Sequence, residues 1–404
     1  MAATTHTWTF RRRFRERAFG WKSQPAVQRV KEAVAEIRKV ARADPLLAGE
    51  GAVLFLEKVS PALEQVDSSS GSIGNAVNKA VDALVAMIAK APADDATRER
   101  WLERLWEAVQ DDRIPYIERL GDRWGEVCVT AELASRWADR LLGITRRAWS
   151  DDPAACGHFA GTTACLSALL AAGRHDELLE LLERAPSGSW HYRCYGARAL
   201  AAIGKADEAV RYAEAGRALN DSPTAIAREC EEILLSDGQR DAAYARFALQ
   251  ANRAGTRSAW FRAVAKKYPE RDVDAVLDDL IAYTPGEEGK WFAAAKDAKR
   301  FDKAIALARS TPCDPLTLTR AARDFAETNP AFAIEAGCIA LYWLARGHGY
   351  ELTSADVLEA HRHTMAAAAN AGRTDEIRAR FHELVLMDWV AHSSMKRALE
   401  RALT

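Results

Sequence analysis

Apolar residues recur along this chain at every third or fourth position. Val27, Val30, Val34 and Ile37 form one stripe, and Val53, Leu56 and Val59 form another. The pattern continues through Ala76, Val77, Ala80, Val81, Leu84 and Ile88, then through Trp101, Leu102, Leu105 and Val109. Such spacing places apolar side chains on one face of a helix, whereas a half-buried strand would alternate. No period-two run bounded by turn residues occurs, so the pattern predicts an all-α chain. Asp44-Pro45, Ser60-Pro61, Ala91-Pro92 and Ile114-Pro115 fall where helices should join, because proline lacks the amide that a helix interior needs.

A longer period overlies the short one. An apolar helix end, a turn residue, a few polar residues and a new Ala-rich helix return as Leu170-Ala171-Ala172-Gly173-Arg174-His175-Asp176, as Ala201-Ala202-Ile203-Gly204-Lys205-Ala206-Asp207, as Leu234-Leu235-Ser236-Asp237-Gly238-Gln239-Arg240, and as Ala371-Gly372-Arg373-Thr374-Asp375. Weaker copies lie around Pro269, Lys299 and Asn329. The turn positions 173, 204, 238, 269, 299, 329 and 372 are separated by 31, 34, 31, 30, 30 and 43 residues, the last interval containing an insertion at Ala345-Arg346-Gly347-His348-Gly349-Tyr350. One helix pair per interval cannot bury its own faces, so the expected architecture is an α-solenoid of stacked antiparallel helix pairs. The glycines at the turns are expected to take positive φ.

The phrase Ala199-Leu200-Ala201-Ala202-Ile203-Gly204-Lys205-Ala206-Asp207-Glu208-Ala209, with Gly196 and Ala197 upstream, resembles the turn between the two helices of a tetratricopeptide repeat. Ala243 with Phe247, and Ala304 with Pro312, match its later small, aromatic and proline positions, while the Trp-Leu-Gly opening is missing from most copies. The resemblance covers roughly residues 155–390. A looser one spans the chain. Trp101-Leu102-Glu103-Arg104-Leu105-Trp106, Pro115-Tyr116-Ile117 and Asp122-Arg123-Trp124-Gly125-Glu126 resemble an uncharacterised bacterial family of helical-repeat proteins, some of whose relatives accompany a SWIM zinc finger. The SWIM ligands, Cys-x-Cys followed by Cys-x-His, are absent, so no metal or DNA role carries over. The expected organisation is a basic N-terminal arm over 1–24, an N-terminal helical layer over 25–150, and tetratricopeptide-like repeats over 151–404.

Composition agrees with a folded chain and adds little about partners. Hydrophobic residues at 49% exclude disorder, and 56 Lys and Arg against 57 Asp and Glu exclude a chain dominated by one charge. The distribution is uneven: residues 1–40 hold ten Lys or Arg and three Asp or Glu, a net of +7. Within that segment Arg11, Arg12, Arg13, Arg15 and Arg17 interleave with Phe10, Phe14, Phe19 and Trp21. This mixture suits phosphate contact and base stacking, or equally a cap whose aromatic residues are buried and whose arginine heads stay in water. Seven scattered cysteines without a Cys-x-x-Cys pair argue for reduced thiols and a cytoplasmic location. No apolar run approaches the roughly 20 residues of a membrane helix, and Arg11-Arg12-Arg13 is not followed by the apolar stretch of an export signal.

No catalytic constellation is legible. A Gly-x-Ser-x-Gly elbow is missing, and the pairs Asp94-Asp95, Asp111-Asp112 and Asp278-Asp279 read as residues of helix ends. Cys156-Gly157-His158 with Cys165 lacks the second ligand pair that zinc would need. Neither a metal nor a cofactor is therefore expected. The remaining candidate is a groove. Counting back six residues from each turn gives Ser167, Arg198, Glu232, Ala263, Ala293, Arg323 and Ala366. Counting back ten reaches Arg228, and counting back three reaches Lys266 and Lys296. Arg198, Arg228, Lys266, Lys296 and Arg323 would make a basic lining for a carboxylate or acidic peptide, or would be solubilising charges paired with neighbours such as Glu232 and Asp297. The expectation is a non-enzymatic, cytoplasmic protein- or peptide-binding scaffold. A nucleic-acid-associated protein using the N-terminal arm, and an enzyme with an unrecognised site, stand behind it.

Overall fold

The computed structural model describes residues 6–404 apart from 151, 153, 155, 217, 218 and 390–392. Every regular element among the described residues is a helix, and none is a strand. The chain forms two compact units, Met1–Gln239 and Arg240–Thr404.

In the first unit the helices Ser23–Ala41, Pro45–Leu63 and Ser72–Lys90 pack on one another. Asp44 starts the second of them, its carboxylate accepting the Leu47 amide at 2.9 Å while Pro45 occupies the first turn. Ser60-Pro61, expected as a junction, lies inside the helix Pro45–Leu63. There the proline removes one intrahelical donor, that to the Glu57 carbonyl, while its own carbonyl in the last turn accepts the Arg17 amide at 3.0 Å.

The segment expected as an arm is docked. Trp8, Phe10 and Phe14 are buried, the rings of Phe10 and Phe14 meeting Phe55 edge-on at 5.6 and 5.0 Å. The Thr9 amide and hydroxyl donate to Glu36 at 2.7 and 2.6 Å. Trp21, expected among the buried aromatics, is 72% exposed. Phe14 and Phe19 pair at 5.3 Å and fill the apolar site, while Trp21 contributes only its carbonyl, which accepts the Asp67 amide.

The apolar core of this unit runs without a break across residue 150. Trp106, Trp124 and Trp137 meet edge to face at 5.0 to 6.0 Å, and Phe159 extends the cluster at 6.1 Å from Trp106. From there it reaches Cys165, Leu169, Leu178, Tyr195 and Ala199. The two compact units divide between 239 and 240.

The repeat phrase has a single backbone cause. Gly173, Gly204, Gly238 and Gly372 have φ of 73°, 79°, 79° and 66°. After each, the next amide donates to the carbonyl five residues back: Arg174 to Leu169 and Lys205 to Leu200 at 3.0 Å, Gln239 to Leu234 and Arg373 to Ala368 at 2.8 Å. This is the left-handed helix ending that glycine permits at least cost. Lys299 forms the same turn at φ 60°, with Arg300 donating to Ala295 at 2.9 Å, and Gly347 within the insertion forms another. Asn329 acts differently, capping the start of the helix Pro330–Ala345 by accepting the Phe332 amide at 3.3 Å.

In the second unit Pro330–Ala345 is apolar nearly all round and packs against Pro315–Asp324 and Ser354–Asn370. Phe292, Phe301, Phe325 and Phe332 interlock beside it at 4.8 to 5.9 Å. Asp278 and Asp279, expected at a helix end, sit within Val273–Ala282. There Asp279 accepts the Tyr244 hydroxyl at 2.6 Å and Asp278 pairs with Lys303 at 2.5 Å, so partners on other helices hold them mid-helix. Among the described residues no helix is long and apolar enough to cross a membrane.

Candidate functional site

Several segments of the first unit converge on a polar pocket of about 540 Å³. Asp82 comes from the helix Ser72–Lys90, and Arg119 and Asp122 from the short helix Arg119–Asp122. Arg123 and Glu126 follow at the start of Trp124–Cys128, while Trp190, His191, Cys194, Tyr195 and Arg198 project from Trp190–Ala202. Two glycines press this wall onto the helix Thr162–Ala171. A Cβ on Gly121 would stand 2.6 Å from the Thr163 hydroxyl, and one on Gly125 would stand 2.5 Å from the Ser167 carbonyl oxygen. The Gly125 amide also donates to the Ser167 hydroxyl at 2.9 Å.

The arginines of the pocket are held by carboxylates. Arg119 donates to Asp82 at 2.9 Å. Arg123 donates to the Asp82 carbonyl at 2.8 Å, to its carboxylate at 3.3 Å and to Glu126 at 2.8 Å. Arg198 makes a bidentate pair with Glu229 at 2.8 and 2.6 Å, and its guanidinium lies 5.8 Å from the Tyr195 ring centre. Hydrogen bonding to Glu229 raises the Arg198 pKa, so that guanidinium is permanently charged.

Asp122 is the titratable group set apart. Burial pushes its carboxyl above the ordinary carboxylate range, His191 and Arg119 pulling it back and Glu118 adding to the push. The Tyr195 hydroxyl donates to the Asp122 carbonyl at 3.3 Å, and burial raises that phenol as well. Cys194, half-buried, has its thiol pushed up to about 12 by burial. The pocket thus combines carboxylate-paired guanidiniums with a carboxyl that holds its proton more tightly than an ordinary one.

Of the residues expected to line a groove, Arg198 stands in this pocket. Arg228 is exposed on the helix Pro223–Ser236 of the same unit, while Lys266, Lys296 and Arg323 belong to the second unit. Lys296 pairs with Asp297 and Arg323 with Asp324, both at 2.8 Å. Ser167, placed by counting among groove residues, is buried because its hydroxyl serves Gly125. On the N-terminal segment Arg13 pairs with Glu32 at 2.8 Å and Arg17 with Glu64 at 3.0 Å, while Arg11, Arg12 and Arg15 are exposed. Arg119, Asp122, Arg123 and His191 escaped the sequence reading. The signal available for them was the spacing Gly121-x-x-x-Gly125, which marks a close helix approach.

Cys156 is exposed and Cys165 buried, the latter thiol pushed up to about 11 by burial. Burial likewise holds Cys128 and Cys313 at about 12 and Cys338 at about 11. Among the described residues no group of three or more His, Cys, Asp or Glu is arranged to hold a metal ion.

The fold and this pocket define an all-helical protein of helical-repeat character. No protein-family model matches the chain, and no curated protein matches it. The likeness to tetratricopeptide repeats and to the SWIM-associated family therefore rests on the quoted residues alone.

Proposed function

We propose that the chain is a tetratricopeptide-like α-solenoid acting as a non-enzymatic, cytoplasmic scaffold, and that it receives an acidic segment of a protein partner in the polar pocket. The observation that carries this reading is the convergence of Arg119 and Arg123, from one stretch, and Arg198, from another, on one cavity. The Arg119–Asp82 pair is 48% and 41% exposed, and exposed ion pairs contribute only about 0–1 kcal/mol, so a ligand carboxylate can replace Asp82 at little cost, while Arg198 stays on the largely buried Glu229 and offers its remaining N–H groups. His191, Tyr195 and Trp190 give main-chain groups of a bound peptide polar and aromatic partners. The recurring left-handed turns support the repeat architecture. In this reading Arg228, Lys266, Lys296 and Arg323 are further acid-binding positions along the array.

Capping is the role of the N-terminal segment in this reading, because Trp8, Phe10 and Phe14 are buried and withdrawn from base stacking. The test is calorimetric titration of the intact protein with a hexaglutamate peptide at low salt. Saturable binding that falls with added salt and is lost in the double variant Arg119→Ala, Arg198→Ala supports the reading. Binding of hexaglutamate and hexalysine with equal affinity, or no binding, overturns it.

A further inference from the structure

In the second unit a pocket of about 400 Å³ lies between Phe301–Ser310, Pro330–Ala345 and Thr374–Leu386. Its floor is apolar, formed by Ile339, Tyr342, Phe381, Leu384 and Met387. Cys338 also lines the pocket, and burial pushes its thiol up to about 11. Met387, where the floor reaches the surface, is 38% exposed.

The rim is charged. Glu335 takes hydrogen bonds from both Arg309 and Arg380, the latter at 2.9 Å. Burial works to raise the Glu335 carboxyl, yet the two arginines outweigh it and hold the group below the usual carboxylate range. Two guanidiniums thus share one carboxylate, and each keeps donors beyond those Glu335 uses. Glu383 on the exposed side supplies a further carboxylate.

We propose that this pocket binds a medium-chain aliphatic carboxylate, with its hydrocarbon on Ile339, Phe381, Leu384 and Met387 and its carboxylate on Arg309 and Arg380. Two guanidiniums with donors to spare at the rim of an apolar floor suit one anionic head on an apolar tail. The floor consists of helix side chains, and main-chain groups inside a helix are already bonded to one another. A hydrophobic peptide would bring its own amides and carbonyls into that floor and leave them unpaired, whereas a hydrocarbon chain carries none. The proposal is independent of the polar pocket in the first unit.

Calorimetric titration of the intact protein with octanoate, decanoate and decanol tests it. Decanoate should bind one to one, each added methylene tightening binding by about fourfold while the cavity accepts it. Decanol, with the same tail and no charge, should bind at least tenfold more weakly. Arg380→Gln should weaken decanoate at least tenfold, and where that variant loses helicity, Met387→Glu at the exposed edge tests the same pocket. Absence of saturable heat at millimolar decanoate, equal affinity for decanol, or undiminished binding by both folded variants overturns the proposal. A tetrapeptide ending in leucine that binds more tightly than decanoate overturns the choice of a free acid.

Discussion

The Gly125 amide donates to the Ser167 hydroxyl at 2.9 Å, across a helix contact so close that a Cβ on Gly125 would stand 2.5 Å from the Ser167 carbonyl oxygen. This pair fixes the wall that carries Arg123 and Glu126. Gly125→Ala must push the wall away, because the opposing atoms, the Ser167 carbonyl and the Ala171 Cβ, have no rotamer that moves them aside. We expect destabilisation of about 1–3 kcal/mol, typical of overpacking, read as a lower urea midpoint. Ser167→Ala should cost less, since it creates no clash, and a Gly125→Ala protein as stable as wild type would contradict the close approach.

Lys299 occupies the left-handed turn that glycine fills at 173, 204, 238 and 372. A side chain there costs roughly 1–2 kcal/mol relative to glycine, partly offset by glycine's greater freedom in the unfolded chain. Lys299→Gly should therefore raise the melting temperature, and Gly204→Ala should lower it. Opposite signs for these two substitutions are the expected result of thermal unfolding.

Asp122 ties stability to pH. A carboxyl whose folded pKa is raised by burial holds its proton more tightly when folded. The resulting stabilisation is complete below the ordinary carboxylate range and is lost as pH rises through the folded value. Asp122→Asn cannot ionise, so its melting temperature should match that of the wild type in acid and exceed it at neutral pH. Asp112, raised by burial too, is present in both proteins and cancels from the difference. A melting difference independent of pH would show that Asp122 titrates normally.

For the polar pocket, Arg198→Ala alone should leave the circular dichroism spectrum unchanged and weaken hexaglutamate binding. Arg198→Lys should recover only part of it, because lysine keeps the charge and loses the bidentate geometry shown with Glu229. Full recovery by lysine would mean that charge alone is read.

The helices were legible because their cause is local. The stripe Val27, Val30, Val34, Ile37 is buried as its spacing requires, and Gly173, Gly204, Gly238 and Gly372 take the positive φ their position implies. Where a distant partner decides, the sequence was silent. Ser167 looked like a small solvated residue until Gly125, 42 positions earlier, was placed against it. Trp21 resembled Phe14 and Phe19 in type, and only the filled site beneath Phe55 explains why it faces water. The pocket around Asp122 draws on residues from Asp82 to Arg198, and no local pattern encodes a convergence across such separations.

The burial of the thiols has a practical consequence for anyone wishing to attach a probe. Cys128, Cys165, Cys194, Cys313 and Cys338 are held protonated by their surroundings, and Cys230 is enclosed, whereas Cys156 is open to solvent. Since the thiolate is the reacting form, a maleimide dye at neutral pH should couple to the native protein at Cys156 alone, leaving the other sulfurs to appear only on unfolding. Such a protein would carry its own handle without engineering, and the growth of dye uptake in denaturant, counted beyond Cys156 and the partly buried Cys194 and Cys338, would meter how its packed interior opens.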